Sequence, residues 1–274
     1  MTTSARPGKL YGVGLGPGDP ELATLKAVRV IRQADVVAAP VARPDGESYA
    51  LELAASYLRP GQPVERLLFP MARDLADRRA HRRTAAAAVL AHLAAGRTVA
   101  FLTEGDPTIH STFLYVLAEM PEGVAVEIVP GVSAITAAAA QAGVPLVNGG
   151  QRLAVLPAPL TPAPLTPAPL APQNWGERGA ERRAEREEGD MADLRTILQT
   201  FDTVVFLKVH RQLDRLLPLL DELGLTGCAL WVERATHPAG RVVRDVRSLV
   251  GARDLPYLSL LIVRRPATEE GDAD

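Results

Sequence analysis

A chain of 274 residues with 30 basic against 32 acidic side chains, a formal net charge of -2 and only 4% aromatic residues has neither the basic excess nor the stacking platforms that nucleic-acid binding uses, and no nucleic-acid partner is expected. The length suits either one large α/β unit or two smaller domains, and no run approaches the roughly 18 apolar residues that span a bilayer. One cysteine, Cys228, excludes an internal disulfide, and with its apolar neighbours Ala229 and Leu230 it reads as a buried thiol in a cytoplasmic protein.

In chain order, a strand is predicted over Lys9 to Val13, running into Gly14-Leu15-Gly16-Pro17-Gly18-Asp19-Pro20 and a helix from Glu21 to Ala34. A short apolar run, Val36 to Ala39, is followed by a helix near Tyr49 to Leu58, a strand near Val64 to Phe69 and a long helix from Asp74 to Ala95. Next come a strand from Thr98 to Leu102, a helix near Thr112 to Ala118, a strand from Val124 to Val129 and an alanine-rich helix from Ser133 to Ala142. Such alternation favours a mainly parallel sheet covered by helices. From Leu156 to Pro172 the Thr-Pro-Ala-Pro-Leu motif recurs and removes backbone donors, and the densely charged run Glu177 to Asp190 follows. Residues 157–190 are therefore read as a surface insertion. Order resumes with a helix from Ala192 to Gln199, a strand from Thr203 to Leu207, a helix from Gln212 to Leu223 and a strand from Cys228 to Glu233. Late strands near Val242 to Val246 and Leu258 to Val263 suggest a mixed second sheet. The boundaries expected are a disordered N-terminus at 1–8, α/β domains at 9–145 and 146–266, and an acidic tail at 267–274.

Three loops at strand ends carry the chemistry. The first is glycine-rich, but the third glycine of G-x-G-x-x-G falls on Pro17 or Asp19 and no Walker lysine follows, so the dinucleotide and phosphate-loop readings fail. A structural turn or a loop for another ligand both fit it. The second, Thr103-Glu104-Gly105-Asp106-Pro107, lies where open α/β sheets place ligands, and it fits an Asp-stabilised turn equally well. The third, Val129-Pro130-Gly131-Val132-Ser133-Ala134, enters a helix with Ser133 at a capping position. Together the three would line one edge of a sheet.

In this order and spacing, Gly14-x-Gly16-Pro17-Gly18-Asp19-Pro20, Glu104-Gly105-Asp106-Pro107 and Val129-Pro130-Gly131-Val132-Ser133-Ala134 resemble the tetrapyrrole methylase superfamily. The resemblance continues in Val204-Val205-Phe206-Leu207-Lys208 and Val232-Glu233-Arg234-Ala235-Thr236. Within the superfamily, the stretch from Glu104 through Thr108-Ile109-His110-Ser111-Thr112-Phe113 is similar to the precorrin-2 C20-methyltransferases of the corrin pathway, and lacks the glycine-rich, arginine-containing continuation of the uroporphyrinogen enzymes. The resemblance implies two α/β domains with mixed, mainly parallel sheets, S-adenosylmethionine (S-adenosyl-L-methionine) in the cleft between them, precorrin-2 as the tetrapyrrole substrate and a homodimer. Carried over by position, it implies that Pro17, Gly105, Asp106, Ile109, Ser133, Ala134, Lys208 and Ala235 bind the cofactor. Alkylation of a meso carbon must be followed by proton loss, for which Asp106 is the candidate base. Lys208 stands where methionine is common and would serve through its main chain. His110 stands where tyrosine is frequent.

A polycarboxylate substrate calls for cationic partners, for which Arg73, Arg78, Arg79, Arg82, Arg83 and Arg234 are candidates. The Arg73 to Arg83 cluster also reads as a solvated helical face. The histidines His81, His92, His210 and His237 have no metal-ligand spacing with one another or with Cys228, and no metal is expected. Rival readings keep the cofactor and change the acceptor to a cobalt-containing ring, another corrin position, or the protein and ribosomal RNA targets of distant relatives. A rival of another class is a non-catalytic adenosyl-binding scaffold.

Overall fold

The computed structural model describes residues 8–70, 74–157 and 189–265. The expectations for residues 1–7, Arg73, the bulk of the insertion and the acidic tail lie outside the described residues. The described chain divides into two compact units, one through Ala134 and one from Ile135 onward.

The first unit is built on strands β1 (Lys9–Gly14), β2 (Val36–Val41), β3 (Val64–Leu68), β4 (Thr98–Thr103) and β5 (Ala125–Val129), in the order β3-β2-β4-β1-β5. Every pairing in this sheet is parallel. Side chains alternate strictly between its faces: on β4, Ala100 and Leu102 join one apolar cluster while Val99 and Phe101 join the other. Helices α1 (Leu25–Gln33) and α2 (Tyr49–Ala54) cover the first face, and α3 (Leu75–Ala94) and α4 (Phe113–Leu117) cover the second. The topology requires this division. From β1 the chain moves toward β2 and β3, and from β3 it returns toward β4 and β5, so right-handed crossovers put the two helix pairs on opposite faces. Adjacent strands β1 and β4 thus send their chains to opposite sides, which opens a crevice at their carboxyl ends.

Local chemistry trims the predicted elements. The expected helix from Glu21 to Ala34 is two pieces, a 3-10 turn at Pro20–Leu22 and α1 from Leu25. Asp19 caps the turn by accepting from the Glu21 amide, and Thr24, in extended conformation, caps α1 by accepting from Ala27. Gly12 is set by packing: an added Cβ would lie 2.5 Å from the Phe113 ring. That ring is fully buried beside Phe101, with centroids 5.7 Å apart, and side chains of this size contribute about 1.5–3 kcal/mol each on full burial.

The second unit holds α5 (Ala134–Ala142, with its first residue at the division), β6 (Leu153–Pro157), α6 (Gly189–Thr200), β7 (Thr203–Leu207), α7 (Leu213–Glu222), β8 (Ala229–Glu233), β9 (Arg241–Val243) and β10 (Ser259–Arg264). The sheet order is β6-β7-β10-β8-β9. β6 runs parallel to β7, whereas β10 is antiparallel to β7 and β8, and β9 to β8. The second sheet is therefore mixed, and across both sheets parallel pairings outnumber antiparallel ones. Leu194, Leu198, Phe206, Leu213, Leu216, Leu220 and Trp231 form the core under α6 and α7.

Three sequence expectations change here. β6 was not foreseen, because Leu156 and Pro157 open the Pro-rich run. Both belong to an edge strand, where proline's missing donor is tolerated. The strand expected near Val242 to Val246 is Arg241–Val243, and beyond it Asp245 caps a 3-10 turn, Val246–Leu249, by accepting from the Arg247 amide. Cys228 is half-buried and closes the 3-10 turn Thr226–Cys228 ahead of β8.

Candidate active site

The three glycine-containing loops of the first unit meet at the carboxyl ends of the adjacent strands β4, β1 and β5. Gly16 and Gly105 form an isolated antiparallel bridge, with the Gly105 amide donating to the Gly16 carbonyl at 2.8 Å and the Gly16 amide to the Gly105 carbonyl at 3.3 Å. The Leu15 amide donates to the Thr103 carbonyl at 3.0 Å. The third loop closes on the other two without room to spare. A Cβ on Gly131 would lie 2.2 Å from the Gly105 carbonyl oxygen and 2.8 Å from Gly14, and one on Gly14 would lie 2.6 Å from the Gly131 nitrogen. Gly105 itself has φ +62, in the left-handed region that favours glycine.

Asp106 locks this arrangement. One carboxylate oxygen accepts from the Gly131 amide at 3.0 Å, and the other from the Thr108 amide at 2.8 Å and from the Thr108 hydroxyl. The half-buried carboxylate therefore joins the loop after β4 to the loop after β5. Pro17 is buried, and its carbonyl accepts from the Tyr49 hydroxyl at 3.0 Å; Tyr57 donates to the Pro20 carbonyl at 2.5 Å. These two tyrosines of α2 and its following turn pin the first loop. Their role has no sequence signal beyond a polar tip on an otherwise apolar face. Ile109 stands 38% exposed beyond the Asp106 turn, His110 is exposed with φ +50, and Ser133 directly precedes α5, which starts at Ala134. Of the residues singled out in the first unit, Pro17, Gly105, Asp106, Ser133 and Ala134 thus belong to the three loops, and Ile109 and His110 lie on the continuation of the second.

In the second unit, Lys208 follows β7 and Ala235 follows β8, two strands that run in the same direction on either side of β10. Lys208 has φ +59, and Ala235 is buried between Arg234 at φ +42 and Thr236 at φ +63. Left-handed backbone at three non-glycine residues is strain that the surroundings must enforce. The start of β10 does so, as the Ser259 carbonyl accepts from the Lys208 amide at 2.9 Å and the Leu258 carbonyl from the Arg234 amide at 2.7 Å. The Lys208 ammonium sits 5.3 Å from the centroid of the Tyr257 ring. His210 packs edge-on against the same ring, and desolvation lowers its pKa, opposed by its bond to the Lys208 carbonyl.

Glu233 and Arg241 close the base of the Ala235 loop, as paired residues of β8 and β9. The Glu233 carboxylate, 7% exposed, accepts from Arg241 Nε at 2.7 Å, from a terminal Arg241 nitrogen at 3.0 Å and from Trp231 Nε1 at 3.0 Å. That pairing raises the Arg241 pKa above its usual value. Gly240 completes the turn, since a Cβ there would lie 2.2 Å from the Arg234 carbonyl oxygen. Sequence reasoning missed Arg241. The available signal was an arginine placed just past a Pro-Ala-Gly turn, eight residues after a strand-end acid.

The chain has known relatives. The family model of the Tetrapyrrole (Corrin/Porphyrin) Methylases matches residues 9–249. The chain belongs to the tetrapyrrole methylases. Among members of the family it is similar to the cobalt-precorrin-2 C(20)-methyltransferase of Salmonella typhimurium, 33% identical over 258 residues, covering 94% of this chain and 97% of the relative. It is also similar to the precorrin-2 C(20)-methyltransferase of a Sinorhizobium species, 32% identical over 264 residues, covering 93% of this chain and 95% of that one. Among solved structures, the uroporphyrin-III C-methyltransferase of Thermus thermophilus complexed with S-adenyl homocysteine superposes with a TM-score of 0.57 at 26% identity, over 93% of this chain and 97% of that one. The expected tetrapyrrole methylase fold, with two helix-covered sheets, is what this chain adopts.

Proposed function

We propose that this tetrapyrrole methylase transfers a methyl group from S-adenosylmethionine to C20 of precorrin-2, giving precorrin-3A in corrin biosynthesis. The observation that carries the reading is the edge where Gly14, Gly16, Gly105 and Gly131 bring three strand-end loops into backbone contact, in a chain whose relatives, matched over nearly their whole length, are named for C(20) methylation of precorrin-2 or cobalt-precorrin-2. Glycine at these positions lets the three loops pack backbone to backbone, which sets the shape of the strand-end edge where open α/β sheets place ligands. The second unit also fits a ligand: the Ser259 hydroxyl is buried beside the Lys208 and Ala235 loops and has no hydrogen-bond partner among the described residues. A buried donor of this kind is costly unless something supplies its partner.

Bound S-adenosylmethionine supplies an electrophilic methyl carbon and a neutral thioether leaving group, so no acid is needed to expel it. The work left to the protein is positioning. Pro17, Gly105, Asp106, Ile109, Ser133 and Ala134 of the first unit, and Lys208 and Ala235 of the second, are assigned to holding the cofactor. Lys208 contributes through its main chain, as its ammonium is turned to Tyr257. Asp106 sets the loop geometry through Gly131 and Thr108, and a second role, accepting the proton lost from C20 after alkylation, is assigned to the same carboxylate. Asp106→Asn separates the two roles. Weaker S-adenosylhomocysteine binding marks positioning, a fall in kcat with binding intact marks the base, and unchanged values for both remove Asp106 from the site.

Incubation of the purified protein with precorrin-2 and S-adenosylmethionine carrying a 13C methyl group tests the function itself. One new methyl resonance at C20 is expected, and a corrinoid without label rejects the assignment. The same assay with the cobalt-containing ring decides a second reading, which the name of the Salmonella relative favours. Cofactor binding without label in either ring would instead support the scaffold reading. The protein is further assigned to the cytoplasm as a homodimer; light scattering at twice the chain mass is the expected result. Among the described residues no helix is long and apolar enough to cross a membrane.

A further inference from the structure

The first turns of α3 extend past the sheet they pack on. Among the described side chains of α3, the buried ones are Ala85, Ala86, Val89 and Leu93, all in the second half of the helix. Its far end meets the start of β1, where a Cβ on Gly8 would lie 2.3 Å from the Leu93 carbonyl oxygen. The helix therefore runs from the carboxyl edge of the sheet back to the amino edge. Its 20 residues span about 30 Å, whereas a six-residue strand spans about 20 Å, so the first two turns overhang the carboxyl edge. That is the edge at which the three glycine loops meet.

The overhang and the residues directly after it carry Arg78, Arg79, Arg82 and Arg83. Arg78 and Arg82, four residues apart, share one helical face. The Arg82 guanidinium lies 3.5 Å from the centroid of the Tyr115 ring on α4, in the segment that continues from the Asp106 loop. Arg78 Nε is buried and meets no hydrogen-bond partner among the described residues. A guanidinium has no neutral form to retreat to, so a buried N–H of this kind needs an acceptor, and a carboxylate matches its fork. Simple solvation of the helix accounts for Arg83, which is exposed, but not for a buried donor.

We propose that Arg78 and Arg82 form a subsite that binds a carboxylate arm of the tetrapyrrole substrate; the identity of that substrate rests on the function assigned above. The flat stacked guanidinium of Arg82 and the buried donor of Arg78 orient the arm, and the macrocycle is thereby held over the edge where the glycine loops meet. Neither side chain is assigned to the cofactor.

The test compares Arg78→Gln, Arg82→Gln and the control Arg83→Gln, with folding followed by circular dichroism. At saturating S-adenosylmethionine the KM for precorrin-2 is expected to rise about tenfold or more for the first two, with S-adenosylhomocysteine affinity within twofold of wild type and Arg83→Gln unaffected. Arg78→Lys retains charge without the fork and should fall in between. A KM within twofold of wild type for both Arg78→Gln and Arg82→Gln overturns the subsite, as does a loss that follows cofactor affinity. If the wild type leaves precorrin-2 unmethylated, the assigned function fails separately. Equilibrium dialysis of precorrin-2 against the same variants then reads the subsite directly, and equal retention by wild type and both variants overturns it.

Discussion

Gly131→Ala probes the junction of the three loops with a single methyl group. The added carbon would lie 2.2 Å from the Gly105 carbonyl oxygen and 2.8 Å from two Gly14 backbone atoms, and all of these neighbours are main chain. No side chain can rotate aside, so the segments must part by about 1 Å to reach ordinary contact. Overpacking of this kind costs about 1–3 kcal/mol. The shift also weakens the bond from the Gly131 amide to Asp106, at 3.0 Å, and hydrogen bonds to charged groups are worth about 1.5–3 kcal/mol when intact. Because the carboxylate is only half-buried, part of that second contribution is retained by water, and a total of about 2–4 kcal/mol is expected. Urea unfolding followed by far-ultraviolet circular dichroism should move its midpoint down by about 1 M or more, with S-adenosylhomocysteine affinity falling in parallel. Gly150→Ala is the control, since nothing lies within 4 Å of a Cβ there. Equal midpoints and equal affinities for the two variants would refute the claim that this junction is closed by backbone contact.

The Glu233 clamp offers a second test. Glu233→Ala leaves the buried Trp231 indole N–H without an acceptor, at about 1–3 kcal/mol, while the largely exposed Arg241 finds water; calorimetry should show a lower melting temperature and S-adenosylhomocysteine binding should weaken, and a variant matching wild type in both is the contrary result. Tyr49→Phe removes the bond to the Pro17 carbonyl, for about 0.5–1.5 kcal/mol and a severalfold loss of cofactor affinity by titration calorimetry; unaltered affinity would show that the first loop holds its shape unaided. On β5, the edge strand of the first sheet, Lys26 and Lys9 hold the Glu127 carboxyl at about 2, below its ordinary value of 4.5. The folded pKa is the lower one, so the stabilisation is present above pH 4.5 and is lost as pH falls toward 2. The gap in denaturation midpoint between wild type and Lys26→Met should therefore close on acidification, and a gap constant from pH 6 to pH 2 would contradict the pairing.

Much of the local structure was legible in the chain because it depends on neighbours in sequence. Apolar runs marked the strands, Asp19 and Thr24 are capping residues, and glycine at a strand end announces backbone with special conformational needs. Errors arose where distant parts decide. Pro157 lies in β6 because that strand is an edge, which cannot be known before β7 is placed beside it. The strain at Lys208, Arg234 and Thr236 is equally invisible, since lysine, arginine and threonine carry no mark of left-handed backbone until β10 pairs with β7 and β8.

The candidate site divides along the same line. Residue types and spacing sufficed to single out the loops holding Gly14, Asp106 and Gly131, and the resemblance of those loops to a known family pointed to the tetrapyrrole methylases. They could not say that Gly131 touches Gly105 and Gly14, or that Asp106 accepts from the Gly131 amide, because those contacts join segments far apart in sequence and depend on strand order β4-β1-β5. Four neighbouring arginines on α3 were likewise equivalent in sequence. Only tertiary packing, by burying Arg78 Nε and laying Arg82 on Tyr115, distinguished them, because burial and partners belong to the folded surroundings and not to the residue type.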